Sequence, residues 1–302
     1  MLFRSGKSRF WSKPRGGKGE FAATPNLAPV ARRVAACGPL CDLVGRRWGT
    51  GTTQPIWARV GELSGAPNPQ ALCDALKAQV IVLPLPMEKN GYLSGTELTT
   101  ERLFRALRPE HRIFAGNVSG EAMALADALG LHITDYFAAE ELSVRNAVPT
   151  AEGAIETAMK HTSVTLHGTP CLVVGFGRIG KVLAHDLHAL GAKVSVSARK
   201  RSDLAWIDAF GYRGLRTNRL AGRLGSFRVV FNTVPNMVLT EELLRELPRE
   251  CVLLELASQP GFDRAAAEAR GLKCIAAPGL PGRAAPETAI KLTLEKIWEE
   301  EA

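Results

Sequence analysis

The sequence predicts an α/β protein: a doubly wound parallel sheet with a second, smaller α/β domain in front of it. Three observations predict this. A glycine-rich hexapeptide, Gly175-Phe176-Gly177-Arg178-Ile179-Gly180, stands between a short apolar run and an amphipathic helix. Apolar runs of strand length recur after it, separated by segments of helical composition. A fainter version of the same alternation precedes it.

In the downstream half, Cys171–Gly175 reads as the first strand. Ile179, Val182, Leu183, Leu187 and Leu190 then form the apolar face of a helix. Lys193–Ser197 alternates Val with small polar residues, the period of a strand. Arg228–Asn232, Cys251–Leu256 and Leu272–Ala276 read as further strands, with helices over Thr240–Leu247 and Asp263–Arg270. Upstream, Ala78–Leu83 and His111–Ala115 suit strands, and Thr99–Leu107 and Ser119–Leu129 suit helices. Thr150 can cap a helix that starts at Ala151-Glu152, runs to about His161 and links the domains. Pro286 suits the first turn of a closing helix to Trp298, with Ala289, Ile290, Leu294, Ile297 and Trp298 on its buried face. The expected division is a basic leader over 1–47, an α/β domain over 48–145, a dinucleotide-binding domain over 146–280, and a C-terminal helix over 281–302 that packs back on the first domain.

The net charge of +8 suggests a nucleic-acid or membrane partner, but its distribution argues against one. Residues 1–47 hold ten Lys and Arg against Glu20 and Asp42, and the other 28 bases and 28 acids cancel. The excess thus belongs to a Gly-, Ser- and Pro-rich segment expected to be disordered. No apolar run reaches the roughly 18 residues that span a bilayer, and no apolar core follows the basic N-terminus, so the expected location is cytoplasmic. The six cysteines make no C-x-x-C pair and the six histidines no H-E-x-x-H motif, so no metal site is expected.

The hexapeptide has the strand before it and helix after it that a dinucleotide-binding turn of the Rossmann type requires. Gly175 permits the tight turn, Gly177 lets backbone approach a pyrophosphate, and Gly180 allows close helix–strand packing. Arg178 and Ile179 open the helix whose free N–H groups face the phosphates. The choice of nicotinamide cofactor rests on the end of the next strand, where an acid accepts the ribose hydroxyls of NAD. Here Ser197-Ala198-Arg199-Lys200-Arg201 offers none, which points to NADP(H): Ser197, Arg199 and Lys200 are assigned to its 2′-phosphate. Asn232-Thr233-Val234-Pro235 and Ala257-Ser258 end two further strands on the same edge and are expected to line the cofactor's ribose and nicotinamide.

Several of these stretches together resemble the dipicolinate synthase A-subunit family. They are Val82-Leu83-Pro84, Glu140-Glu141, Asn146-Ala147-Val148-Pro149-Thr150-Ala151-Glu152-Gly153, the hexapeptide, Val196-Ser197-Ala198-Arg199, Asn232-Thr233-Val234-Pro235, Leu256-Ala257-Ser258 and Ala277-Pro278-Gly279-Leu280-Pro281-Gly282. The likeness covers about three-quarters of the chain, from Gln79 onward. It implies the two-domain layout of the D-2-hydroxyacid dehydrogenases. It also implies NADP-dependent oxidation of a dihydrodipicolinate, derived from the lysine pathway, to pyridine-2,6-dicarboxylate, in the mother-cell cytoplasm of a sporulating bacterium. The partner it implies is a second, flavoprotein-like B-subunit; homo-oligomers are also compatible with it.

A dicarboxylate substrate requires cations opposite both carboxylates and a base for one proton. Arg145, Asn146, Thr150, Glu152, Arg178 and Arg283 are candidates near the domain junction, with Asn117 and Ser119 approaching from the first domain and Glu88 or Glu152 as base. Two other readings compete. A D-2-hydroxyacid-type dehydrogenase would carry an Arg after Leu256-Ala257 and a later His, whereas this chain has Ser258-Gln259 and no His beyond His188. A non-catalytic, NADPH-binding regulatory or scaffold protein is compatible with the lack of an identified base.

Overall fold

The computed structural model describes residues 34–36, 80–94 and 98–301. Its smaller sheet is built from β1 (Val34–Ala36), β2 (Val80–Val82), β5 (Arg112–Ala115) and β6 (Ile133–Asp135), paired in that order and all parallel. A two-stranded hairpin, β3 (Glu88–Lys89) and β4 (Tyr92–Leu93), leaves its carboxyl edge. Helices α1 (Thr100–Ala106) and α2 (Gly120–Ala128) cover it through Leu103, Phe104, Ala122 and Ala126, which pack on Ile81, Leu83 and Ile113. Thr99 and Ser119 cap these helices, as their side chains accept from the N–H of Arg102 and Ala122. The leader was expected to be disordered, yet β1 lies inside it and pairs with β2. Three small apolar residues after Arg32-Arg33 are too short a run to stand out in so basic a segment. The rest of residues 1–47, and the expected strand start at Ala78-Gln79, lie outside the described residues.

Six parallel strands make the larger sheet: β7 (Pro170–Val174), β8 (Lys193–Ala198), β9 (Arg213–Arg216), β10 (Val229–Asn232), β11 (Val252–Glu255) and β12 (Lys273–Ala276). Their order across the sheet is β12-β11-β10-β7-β8-β9. The chain begins in the middle and winds outward both ways, the Rossmann order. Period-two alternation divides the core. Cys171 and Val173 of β7 meet Leu183 and Leu187 of α4 (Arg178–Ala189) and Ile207 of α5 (Arg201–Ala209). Leu172 and Val174 face the other side, with Leu244 of α6 (Glu241–Leu244) and Ala267 of α7 (Arg264–Ala269). Strand β9 had no counterpart among the expected strands, because only Leu215 of its four residues is buried.

The linking helix corrects another expectation. It is continuous from Glu140 to His161 (α3), so it begins eleven residues before Ala151, and Thr150 lies inside it instead of capping it. The expected domain boundary at 145/146 therefore falls within a helix. Pro149 lies inside the helix as well, although proline has no N–H to donate to the carbonyl four residues back. Packing overrides that loss: Ala147, Ala151, Ala154 and Ala158 are all at most 1% exposed, and the Thr150 hydroxyl donates to the Asn146 carbonyl at 2.6 Å.

After β12 the chain forms a short helix, α8 (Leu280–Ala284), then α9 (Pro286–Glu301). The latter lies along α3 and against the 3-10 turn Tyr136–Ala138 that follows β6. The Lys296 ammonium meets Glu141 at 2.7 Å and holds its carboxyl below the usual carboxylate range, and Arg145 meets Glu295 at 3.5 Å. Helix α8 reaches α3 at Gly153, where an added Cβ would stand 2.8 Å from the Ala284 Cβ and 3.2 Å from Leu280. Gly153→Val is therefore expected to destabilise the protein by about 1–3 kcal/mol through overpacking, read as a lower urea midpoint; an unchanged midpoint would show that α8 yields freely.

Candidate functional site

Strand β6 leads through the turn Tyr136–Ala138 into α3, and β7 leads through the glycine turn into α4. Glu140, at the head of α3, pairs with Arg178, at the head of α4, at 3.1 Å. This contact lies between the heads of the two helices that follow the carboxyl edges of the two sheets, the edges where ligands of such folds bind.

The glycine turn is built as its sequence requires. Gly175 has φ +104°, and a Cβ there would lie 2.5 Å from the Thr233 hydroxyl. A Cβ on Gly180 would lie 2.2 Å from the Gly175 carbonyl oxygen. Around Gly177 there is open space, and it heads α4 without a side-chain cap. A dinucleotide pyrophosphate fits these residues: the first N–H groups of α4 have no side-chain acceptor and the approach to them is clear. Ile179 is half-buried behind them.

The expected cofactor residues divide into those that face solvent and those that hold the loops. Arg199, Lys200, Pro235 and Ser258 are exposed, and Val234 and Ala257 are half-buried. Arg199 and Lys200 make no ion pair among the described residues. Ser197, by contrast, is fully buried, and its hydroxyl accepts from Thr217 at 3.4 Å, so it cannot touch a phosphate at this edge without moving. Thr233 turns inward too, its hydroxyl and N–H both donating to the Val174 carbonyl at 2.9 and 3.0 Å. Asn232 is wholly buried; its Nδ2 donates to Glu255 at 2.6 Å and to the Val234 carbonyl at 2.9 Å. These three inward residues were expected to line the cofactor, and they support its loops from beneath instead.

Glu255 was not among the expected site residues. Its carboxylate accepts from Asn232, from the Ala257 N–H at 3.1 Å and from the Gly261 N–H at 2.8 Å, which fixes the loops after β10 and β11 to each other. A lone acid closing an otherwise apolar strand, Val252-Leu253-Leu254-Glu255, was the available signal. Asp135 was missed as well. It accepts from the N–H groups of Asn117, Val118 and Phe137 at 2.9–3.0 Å, and holds Asn117 at φ +54°.

The substrate-side candidates are placed unequally. Glu88 accepts hydroxyl donations from Thr100 and Ser119, so both its oxygens are engaged at the carboxyl edge of the smaller sheet. Asn146 is 8% exposed, and its Oδ1 is buried without a donor. An unfilled buried acceptor costs about 1–3 kcal/mol, which a ligand donor at this junction would recover. Arg283 is exposed on α8 and makes no ion pair among the described residues. Arg145 is engaged by Glu295, and Glu152 lies on the solvent side of α3 with Val148 and Glu156. Neither is held toward the junction. Burial pushes the thiols of Cys171 and Cys251 up to about 12, so they stay protonated as core residues. A cavity of about 260 Å³ lies at the opposite edge, where β10, β11 and β12 begin, and is lined by Arg228, Glu250 and Lys273. Among the described residues no group of His, Cys, Asp and Glu is placed to hold a metal ion, and no helix is long and apolar enough to cross a membrane.

Residues 139–257 match the family model of the D-isomer specific 2-hydroxyacid dehydrogenase NAD binding domain, so this half carries a nicotinamide dinucleotide-binding domain of the oxidoreductase type. Over 218 residues the chain is 36% identical to the A-subunit of dipicolinate synthase of Bacillus subtilis strain 168, covering 69% of this chain and 73% of that one. The crystal structure of the same synthase component from Bacillus halodurans is 26% identical and superimposes with a TM-score of 0.77, covering 90% of this chain and 98% of that one. Its counterpart from Bacillus subtilis, also 26% identical, gives 0.72 over 90% and 97%.

The network beneath the site predicts the behaviour of Glu255→Gln. Glutamine replaces one acceptor with a donor and leaves an N–H facing another N–H, at about 1–3 kcal/mol. Lower stability in urea and weaker cofactor binding are expected together; full retention of both would remove Glu255 from its organising role.

Proposed function

Because the chain belongs to the dipicolinate synthase A-subunit family, we propose that it oxidises a dihydrodipicolinate to pyridine-2,6-dicarboxylate with NADP⁺, in company with a second, flavoprotein-like partner. The cofactor, when bound, takes a hydride from the ring and a proton is released. The observation that carries the cofactor choice is the end of β8, where Arg199 and Lys200 are exposed, make no ion pair among the described residues and are followed by no acid before Asp203. A carboxylate there would repel a 2′-phosphate, whereas a guanidinium and an ammonium bind it.

The remaining work falls to the chain's own side chains. Arg283, which makes no ion pair among the described residues, is assigned to one carboxylate of the substrate, and the exposed Asn117 amide approaches from the other domain. Asn146 supplies an acceptor for a donor on the substrate or on the carboxamide of the nicotinamide. Of the two acids weighed as base, Glu88 is held at the carboxyl edge by Ser119 and Thr100, and we assign it the proton. Ser258 stands where a hydroxyacid dehydrogenase would place its arginine, which separates this reading from that one.

Two experiments test it. Arg199→Ala should weaken NADPH roughly ten- to a hundredfold and leave NADH nearly unchanged; equal losses for both would reject NADP specificity. In protein reconstituted with its flavoprotein-like partner, pyridine-2,6-dicarboxylate should inhibit NADPH formation far more strongly than pyridine monocarboxylates, since a site built for a second anion is otherwise left with unpaired donors. Indifference to the second carboxylate would reject the substrate, and a complete lack of turnover in the reconstituted protein would favour a regulatory role.

A further inference from the structure

We infer that Arg216, at the end of β9, is a second-strand determinant of NADP(H) specificity that grips the 2′-phosphate together with Arg199. The inference rests on the NADP reading of the β8 edge and extends it to a residue seventeen positions downstream, which the sequence pattern does not connect to the site.

The strand register makes the connection. Ala198 pairs with Arg216 across parallel strands β8 and β9, so Arg216 stands beside the residue that precedes Arg199. Adjacent strands lie only about 4.8 Å apart. The Thr217 hydroxyl donates to the Ser197 hydroxyl at 3.4 Å, which ties the two strand ends together. Side-chain direction agrees. Leu215 faces the α6 and α7 side of the sheet, so Arg216 points to the opposite side. Gly214 shares that face, and its Cβ position is 2.9 Å from Asp208 and 3.4 Å from Leu204 of α5. Arg216 therefore emerges on the α5 side of the carboxyl edge, the side onto which Arg199 and Lys200 lead the chain.

Arg216 is exposed and makes no ion pair among the described residues, and the same holds for Arg199, Lys200, Arg201 and Arg219. Some exposed arginines of this domain do meet acids, Arg245 with Glu241 at 2.6 Å and Arg264 with Glu268 at 2.7 Å, so what sets Arg216 apart is the clustering of its charge with those of Arg199 and Lys200 at one strand edge. Concentrating unpaired cations costs mutual repulsion, and a dianionic phosphate bound between the two strands relieves it. A plain solvated surface would not require both strands to present their cations at one edge and on one face.

The test is calorimetric titration of the full chain with NADPH, NADH, 2′,5′-ADP and 5′-AMP, for Arg216→Ala and Arg199→Ala. Arg213→Ala is the control, an exposed arginine at the other end of β9, about 10 Å of strand away. Arg216→Ala should weaken NADPH and 2′,5′-ADP roughly five- to thirtyfold, leave NADH and 5′-AMP within about twofold, and flatten the salt dependence of NADPH binding. Arg216→Lys keeps the charge without the fork and should fall between. Arg213→Ala should change nothing by more than its remote charge. If Arg199→Ala loses 2′-phosphate selectivity and Arg216→Ala behaves like Arg213→Ala, this inference fails while the NADP reading stands. If neither Arg199→Ala nor Arg216→Ala distinguishes the 2′-phosphorylated ligands, the NADP reading falls and takes this inference with it.

Discussion

The close burial of one small-residue face of α3 fixes where everything else can be. Ala151, Ala154 and Ala158 are completely inaccessible to solvent, and Gly153 leaves no room for a methyl group against α8. Alanine and glycine let helix axes approach until backbone meets backbone, and a dense interior then transmits position instead of absorbing it. Since α3 starts at the carboxyl edge of the smaller sheet and packs along α4, its placement determines how the two carboxyl edges confront each other. Helix α9 reinforces it from outside through Glu141–Lys296 and Arg145–Glu295. Exposed ion pairs of this kind contribute only about 0–1 kcal/mol each, so the apolar face carries the junction and the charges trim its register.

The cofactor edge is arranged in two layers of opposite character. Beneath lie neutral or internally paired polar groups: Thr233 on the Val174 carbonyl, Asn232 and Glu255 with their loop N–H partners, Ser197 with Thr217. Above lie cations with no ion-pair partner among the described residues. Buried polar groups need every bond satisfied, and here they are satisfied by one another, so the lower layer does not compete for a ligand. The upper layer keeps its charge for whatever anion arrives. Removing a supporting residue should therefore disturb all cofactors alike, while removing an outer cation should separate the phosphorylated from the unphosphorylated.

How much of this was legible in the sequence follows from where the chain is apolar. Strands buried on both faces, such as Cys171–Val174 and Val229–Phe231, read as uninterrupted apolar runs, and the glycine spacing states its own turn. Strand β9 has one buried residue, and β6 has none fully buried, so neither leaves a periodic mark. The start of α3 was hidden by Pro149 and Thr150, whose local preferences favour a boundary that tertiary packing overrides. Glu255 and Asp135 were missed for another reason: each acts on backbone N–H groups brought near by folding, so no sequence spacing assigns the carboxylate its role, even where, as at Glu255, a lone acid closes an apolar strand. Asn232 and Thr233 were placed at the right edge but credited with the wrong side of it, because a segment's position does not tell which way alternate side chains point.

The charges at the junction also constrain how a dianionic substrate could enter. Arg178 and Arg145 were natural choices for its carboxylates, yet each already holds a glutamate, Glu140 and Glu295 respectively. For Arg178 the pair is open to solvent on both sides, with 51% and 72% of the two side chains exposed. Exchanging such a partner for a better-placed anion forfeits little, about 0–1 kcal/mol, whereas a carboxylate held in a closed cleft by a fork of two parallel bonds gains more. The same exchange frees Glu140 at the head of α3, where a negative charge near the helix N-terminus stays favourable without a partner. Arg145 differs, because its partner Glu295 lies on α9 and its release would give up one of the contacts that trim the register of α9 on α3. Among the described residues Arg283 makes no ion pair and the Arg178–Glu140 pair is open to solvent, so these two cations could be given over to an incoming anion at the least cost.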